Sequence, residues 1–310
     1  MKEKTFVSAV VYVYNAEKVI AGFLRELDTY LDSRYEIFEI ILVNDYSVDE
    51  TRQEIKKAAK DLKGTITVIN LAWRHKKELA MLAGTDLAIG DFVFELESTR
   101  PDFSLNLLTD LYEKAVSGFD VVYAFPKDST RFKSKLFYWL LNRLSHLNVD
   151  EHTETAKIVS RKALNRALLE RGKVRYRKVL YKSGGFPTAT LEYLPQRQSL
   201  GNDEMTLLQK LTLASDVFIV FSNIGTQVAM MFSAISLIVS VLIGVYAAYV
   251  YLSGQATISG WTTTMLFLSA GFAGIFLTLT IIAKYIGTIL MEQRRGNLYT
   301  VEALDKISNK

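Results

Sequence analysis

Short apolar runs and amphipathic stretches alternate from the start of the chain. Residues 6–14 are almost wholly β-branched, aromatic or small, the make-up of a buried strand. Residues 16–31 space their apolar side chains three and four apart, as a helix with one buried face does. The alternation continues with strands at 38–43, 65–69, 91–96 and 120–124 and helices at 49–60, 77–88 and 104–116. Ser47 stands where it can cap the helix at 49–60, and Gly90 follows the helix at 77–88. Such spacing implies βαβ units and a mostly parallel sheet that binds ligands at the carboxyl ends of its strands.

The pattern changes near residue 217. From Val217 to Ala283 there is no Asp, Glu, Lys or Arg. That run is too long for one bilayer crossing and suits two. Spans at about 228–252 and 261–283, joined by the uncharged turn 253–260, make a transmembrane hairpin. Lys210 precedes the pair and Lys284, Arg294 and Arg295 follow it, so the positive-inside rule puts both termini in the cytoplasm. Tyr246, Tyr249, Tyr251 and Trp261 gather near the outer end, where amphipathic rings favour the interface. Small residues in both spans, Gly244 and Gly271 among them, permit close helix packing and a homo-oligomer. Stretches 131–147 and 204–221 are amphipathic, the first rich in basic and aromatic side chains. The first reads either as a helix in the membrane interface or as a core-packing helix with solvated charges. The expected division is 1–200, a cytoplasmic α/β domain; 201–222, a juxtamembrane amphipathic helix; 223–290, the two spans; and 291–310, a cytoplasmic tail.

Composition narrows the chemistry. There is no cysteine, which excludes disulfide scaffolds and thiolate catalysis, and the three histidines lack metal-ligand spacing. A net charge of +4 suits an anionic membrane surface or a phosphate ligand and gives no footprint for nucleic acid. No signal peptide is expected from the N-terminal residues.

Polar residues stand at the strand ends: Tyr14 and Asn15 after the first, Asp45 and Ser47 after the second, Glu95, Glu97 and Thr99 at the fourth. Neither GxGxxG nor GxxxxGK[ST] occurs, so a dinucleotide fingerprint and a P-loop are not indicated. Asp45 at a strand end can accept from a nucleobase or ribose, with helix capping as its alternative role.

With these residues in order the chain resembles the family 2 glycosyltransferases of GT-A (Rossmann-like) fold, in the branch that transfers sugar to polyisoprenyl phosphate, dolichol-phosphate mannosyltransferase-like enzymes included. The likeness rests on VVYVYNAE at 10–17 and on VNDYSVDET at 43–51, similar to the family's V-D-D-G-S-x-D-x-T. It extends to KELAMLAG at 77–84 with Gly90-Asp91, to KLFYWLLNRLS at 135–145, and to KYIG at 284–287 with RRGNLY at 294–299. The resemblance implies a nucleotide-sugar donor held by Tyr14, Asn15, Asp45, Ser47 and Lys77. It implies a D-x-D position at Glu97-Ser98-Thr99, where Mg²⁺ or Mn²⁺ would carry the diphosphate. Thr99 departs from that motif, and Glu95 with Glu97, two apart on a strand, form a substitute carboxylate pair. Glu97 with Asp102 is a further option. The acceptor loop falls on 151–161, where Lys157 and Arg161 keep basic positions while Gly-Asp has become Glu154-Thr155.

The expected reaction is inverting transfer of a sugar to polyisoprenyl phosphate on the cytoplasmic leaflet of the inner membrane, for cell-surface glycan or lipid-linked sugar. Glu97, Lys157 and Arg161 form the catalytic set. Should the metal be absent, basic side chains among Lys157, Arg161, Lys173, Arg175, Arg177 and Lys178 take over its charge. The alternative from another class is a non-catalytic partner subunit or nucleotide-sugar binder on the same scaffold.

Overall fold

The computed structural model describes residues 2–127, 155–170, 177–196, 260–293 and 298–307, with residues 231, 232, 235, 238, 239 and 242 besides. The described residues fall into two units. The first carries one eight-stranded sheet and its helices; the second carries residues 231–242 as described and one long helix.

In the first unit, β1 (Val7–Val13), β2 (Phe38–Asn44), β3 (Thr65–Leu71) and β4 (Phe92–Leu96) are the strands the apolar runs predict. Helices α1 (Ile20–Arg34), α2 (Thr51–Ala58) and α3 (Lys76–Leu87) connect them. Next come α4 (Leu107–Val116), β5 (Val121–Pro126), β6 (Ala156–Ser160), α5 (Arg161–Glu170), α6 (Arg177–Ser183) and β7 (Thr188–Tyr193). The tail supplies β8 (Val301–Ile307). The order across the sheet is β7-β5-β6-β4-β1-β2-β3-β8. The central strands β4, β1, β2 and β3 run parallel, while β6 and β8 run antiparallel to their neighbours.

Alternation along each strand divides the sheet into two faces. Val7, Ala9, Val11 and Val13 of β1, with Ile40 and Leu42 of β2, join Leu24, Leu27 and Leu31 of α1 and Leu108 and Leu111 of α4 in one core. The opposite face receives α3. A Cβ added at Gly84 in that helix would lie 2.3 Å from Val10 Cγ1 and 2.6 Å from Val43 Cγ2. Glycine there lets α3 lie directly on β1 and β2, which fixes the start of α3 beside the strand ends.

Several expectations shift. Ser47 does not cap α2: its hydroxyl accepts from the Asn15 N–H at 3.0 Å, and Asp49 instead accepts from the Thr51 N–H at 3.2 Å. Residues 155–160, expected as part of an acceptor loop, contain β6. The stretch 291–310, expected as a cytoplasmic tail, adds β8 to the sheet edge. The amphipathic stretches 131–147 and 204–221 and most of the first span lie outside the described residues.

The second unit contains α7 (Trp261–Gln293), 33 residues of unbroken helix over the second expected span. Among residues whose side chains are described, no helix is long and apolar enough to cross a membrane. Of the described large apolar side chains of α7, Leu268, Phe272, Ile275, Leu279, Ile282, Ile286 and Ile289 are exposed, while Phe267 and Ile281 are half-buried. In residues 231–242, Met231, Phe232, Ile235, Ile238, Val239 and Leu242 are helical and likewise exposed.

Candidate functional site

Three residues other than glycine have positive φ: Asn15 at 45°, Tyr46 at 59° and Lys76 at 65°, counted among the described residues. Each sits where the chain leaves a strand of the central sheet or enters α3. Left-handed backbone is costly outside glycine, and its gathering at strand carboxyl ends points to a shaped site there.

Asp45 directly follows β2 and is fully buried. Its Oδ1 accepts from the His75 backbone N–H at 2.6 Å and its Oδ2 from the Tyr12 hydroxyl at 3.0 Å. Asn15 and Ser47 interlock beside it: the Asn15 N–H donates to Ser47 Oγ, and the Val48 N–H donates to Asn15 Oδ1 at 3.0 Å. Tyr14 lies under the Arg74 guanidinium, 4.1 Å from ring centre to cation. The expected donor set is thus brought together, with Asp45 held from beneath by Tyr12 and His75.

Lys77 leads to a second cluster. Its ammonium lies 5.8 Å from the Tyr12 ring centre and 3.7 Å from Glu97. Sheet register assembles the rest. Glu95 of β4 stands opposite Lys157 of β6, which stands opposite Tyr123 of β5. Lys157 Nζ is 3.7 Å from Glu95 and 3.6 Å from Glu97. Arg177, at the start of α6, is entirely buried among three carboxylates. It bonds Glu95, reaches Glu97 at 2.7 Å, and meets Glu78 of α3 at 3.2 Å. The Tyr181 hydroxyl, one helical turn on, donates to Glu95. Three carboxylates, Glu78, Glu95 and Glu97, therefore face three cations, Lys77, Lys157 and Arg177.

The electrostatics follow from that balance. Burial alone would raise the Glu97 pKa, but Arg177, Lys157 and Lys77 outweigh it and hold the group at about 2. Burial works against the Arg177 charge, yet Glu78, Glu97 and Glu95 keep its pKa raised well above the ordinary value. Tyr181 is pushed up by burial and by the Glu95 charge, so its hydroxyl stays a donor.

Arg161 does not join the cluster. Because β6 runs antiparallel to β4, Ser160 pairs with Phe92 at the amino end of β4, opposite to the end carrying Glu95 and Glu97. There the Arg161 guanidinium donates to the Gly90 carbonyl, 2.9 Å from Nε, which makes it a structural clasp rather than a site residue. Asp102 is also drawn elsewhere, accepting from the Tyr193 hydroxyl at 2.6 Å. The converging carboxylates are Glu95 and Glu97. Lys173, Arg175 and Lys178 have no described side-chain position; Arg177, from the same basic run, is the member the fold brings in.

Glu95 and Glu97 are oxygen ligands of the kind a hard divalent cation takes. The space beside both carboxylates is taken by Lys157 and Arg177, and no cluster of three acidic or histidine side chains able to hold a metal occurs among the described residues. As arranged, the pair does not fit a divalent ion.

The fold is a mixed α/β sheet whose polar and charged side chains gather at the carboxyl ends of its central strands, the end at which such sheets take their ligands. Residues 8–172, more than half of the chain, match Glycosyl transferase family 2, and the chain belongs to that family: it is a glycosyltransferase. An uncharacterized glycosyltransferase of Bacillus subtilis (strain 168), YkcC, is 27% identical over 98% of this chain and 95% of its own. A bactoprenol glucosyl transferase of Shigella phage SfV is 25% identical over 96% of this chain and 98% of its own. Among solved structures, the glucosyl-3-phosphoglycerate synthase of Mycobacterium tuberculosis in complex with Mn²⁺, UDP and phosphoglyceric acid aligns with 70% of this chain and 77% of its own. It is 16% identical, with a TM-score of 0.47.

Proposed function

We propose that this glycosyltransferase moves a sugar from a nucleoside diphosphate sugar to a polyisoprenyl phosphate at the cytoplasmic face of the inner membrane. The observation that carries the reading is the trio Lys77, Lys157 and Arg177 gathered round Glu97, with Lys77 also against the ring of Tyr12, whose hydroxyl donates to Asp45. An acceptor phosphate oxygen attacks the anomeric carbon, a new C–O bond forms, and the bond to the donor diphosphate breaks. A phosphate monoester is largely dianionic at neutral pH, so the nucleophile needs no strong base. What the reaction needs is compensation for charge growing on the leaving nucleoside diphosphate, and preorganised cations in a water-poor site supply it. Glu78, Glu95 and Glu97 hold those cations in place before the donor arrives.

A divalent cation, Mg²⁺ or Mn²⁺, is the second source of such charge. Glu95 and Glu97, both already paired with Lys157 and Arg177, leave the side chains as the source the arrangement supports. Activity that survives EDTA assigns the charge to the side chains; activity abolished by EDTA and restored by Mn²⁺ assigns it to the ion.

For the acceptor, support comes from the bactoprenol glucosyl transferase similar along nearly all of this chain. For the membrane, support comes from the sequence: no Asp, Glu, Lys or Arg occurs from Val217 to Ala283, a run of a length that suits two crossings. The exposed apolar side chains of α7 are suited to lipid. Lys210 before the charge-free run and Lys284, Arg294 and Arg295 after it give both flanks the basic character of the cytoplasmic side.

The test is purified protein in nanodiscs with polyprenyl phosphate and a panel of nucleotide sugars, with and without EDTA. The expected result is a lipid-linked sugar from at least one donor. No product from any donor, together with no nucleotide binding by calorimetry, sinks the reading in favour of a non-catalytic partner subunit.

A further inference from the structure

β8 follows α7 in sequence, yet it pairs with β3 at the edge of the sheet that carries the site. From it, two hydrogen-bond relays run inward and end on the loop at 44–48.

The first passes through His75, a buried residue. Its Nε2 accepts from the Thr300 backbone N–H at 3.0 Å and from Trp73 Nε1–H at 2.5 Å. Its Nδ1 lies 2.7 Å from the Trp73 carbonyl, and its backbone N–H donates to Asp45 Oδ1 at 2.6 Å. Two N–H donors on Nε2 and a carbonyl on Nδ1 are compatible with one arrangement, the neutral ring protonated on Nδ1. The partners thus assign the tautomer. The Thr300 carbonyl accepts from the Ala72 N–H at 3.0 Å, so residue 300 is pinned on both sides.

The second relay crosses two strands. Asp305 Oδ2 accepts from Asn70 Nδ2 at 3.1 Å, Asn70 Oδ1 accepts from Asn44 Nδ2 at 2.9 Å, and Asn44 Oδ1 accepts from the Ser47 N–H at 3.2 Å. Arg52 and Lys56, each 3.5 Å from Asp305, hold the outer end. Asn44 and Asn70 are buried, so each amide has a stake in its partner.

Beyond Asn44, the last residue of β2, the loop they reach has Tyr46 at a positive φ of 59° and no regular structure over residues 45–48. A strained segment keeps such a conformation when its surroundings over-determine it.

We propose that β8 is a working part of the donor site: its docking sets the 44–48 loop through His75 and the asparagine relay, with His75 as a positioning residue. The consequence for donor binding rests on the reading of Asp45 and Ser47 as donor contacts; the coupling of β8 to the loop does not. The segment just beyond α7 then decides whether the nucleotide pocket is formed.

The experiment uses the full chain in nanodiscs, with amide hydrogen exchange of residues 44–48 and 75, UDP and GDP binding, KM and kcat for the active donor, and melting temperature. His75→Leu and Thr300→Pro, the latter removing the N–H that donates to His75 Nε2, are expected to speed loop exchange at least tenfold. Donor KM rises at least tenfold while kcat moves less than threefold. His75→Gln, which puts an acceptor near the Nε2 position, recovers most of the loss. Unchanged loop exchange in both His75→Leu and Thr300→Pro overturns the proposal, and so does a Gln variant no better than Leu. If His75→Leu does not fold, Thr300→Pro decides alone. Faster exchange in a protein whose wild type binds neither nucleotide upholds the relay and removes the donor reading instead.

Discussion

At the residue scale, Glu97 and Arg177 show how little of a buried charge can be judged from its type. Removing one member of a buried ion cluster strands the others, at a cost of about 3–5 kcal/mol. Arg177→Met is therefore expected to unfold at markedly lower denaturant than wild type, and Lys157→Met less so, since Arg177 still serves both carboxylates. Acid adds a signature. The Glu97 pKa is lowered from 4.5 to about 2, so its contribution is fully present above about pH 4.5 and fades as pH falls toward 2. Glu97→Gln should shrink the drop in melting temperature between pH 6 and pH 3; an unchanged drop would mean that Glu97 is not held by those cations. Asp45, Lys77, Glu95 and Glu97 were legible in the sequence because each ends a strand or opens a helix in a chain whose alternation is plain. The burial of Lys157 and Arg177 was not, since lysine and arginine are ordinarily solvated. Their place depends on cross-strand register and on a helix start that periodicity does not mark.

At the element scale, α3 is the piece that joins both clusters. Lys77 and Glu78 sit in its first turn, and its closeness to β1 and β2 depends on Gly84. Gly84→Ala puts a methyl where Val10 and Val43 already stand, and β-branched neighbours have few rotamers with which to yield. The expected loss is about 1–3 kcal/mol, with a raised donor KM because the start of α3 moves away from Tyr12 and Glu97. Gly22 in α1 has nothing within 4 Å of an added Cβ, and Gly22→Ala should instead stabilise by about 0.4–1 kcal/mol. Equal effects on melting temperature would show that helix propensity, not contact with the sheet, governs position 84. The strands and helices up to residue 124 could be read from period because their apolar faces are continuous. β8 could not: it is an edge strand with exposed Val301 and Leu304 interleaved with Glu302, Asp305 and Lys306, a pattern shared with solvated tails. Its partner β3 lies about 230 residues upstream, and no local signal carries that pairing.

At the scale of the whole molecule, the order of segments sets a constraint that a simple anchor would not. The charge-free residues 217–283 stand between β7 and β8, so the sheet is completed by chain that follows them. Cutting the protein after residue 200 removes the apolar segments and β8 together, and with β8 both relays into the 44–48 loop. Replacing residues 206–295 by a flexible Gly/Ser linker removes the main part of the second unit and nothing of the first. About 20 such residues have an end-to-end distance of roughly 25 Å, enough for β8 to find the edge of β3. The two forms should therefore differ. The linker form is expected to remain in solution without detergent, to bind the donor nucleotide within about threefold of the full chain, and to transfer sugar poorly to a long polyprenyl phosphate in vesicles. The truncated form should leave the edge of β3 unpaired, bind the nucleotide at least tenfold more weakly and tend to aggregate, as exposed strand edges do. Equal nucleotide affinity in the two forms would separate β8 from the donor site. A linker form as active on vesicle-borne acceptor as the full chain would remove the membrane role assigned to residues 217–283. The contrast tests the molecule as a circuit, in which the chain leaves the sheet, passes through the apolar segments and returns to close the edge next to its own active site.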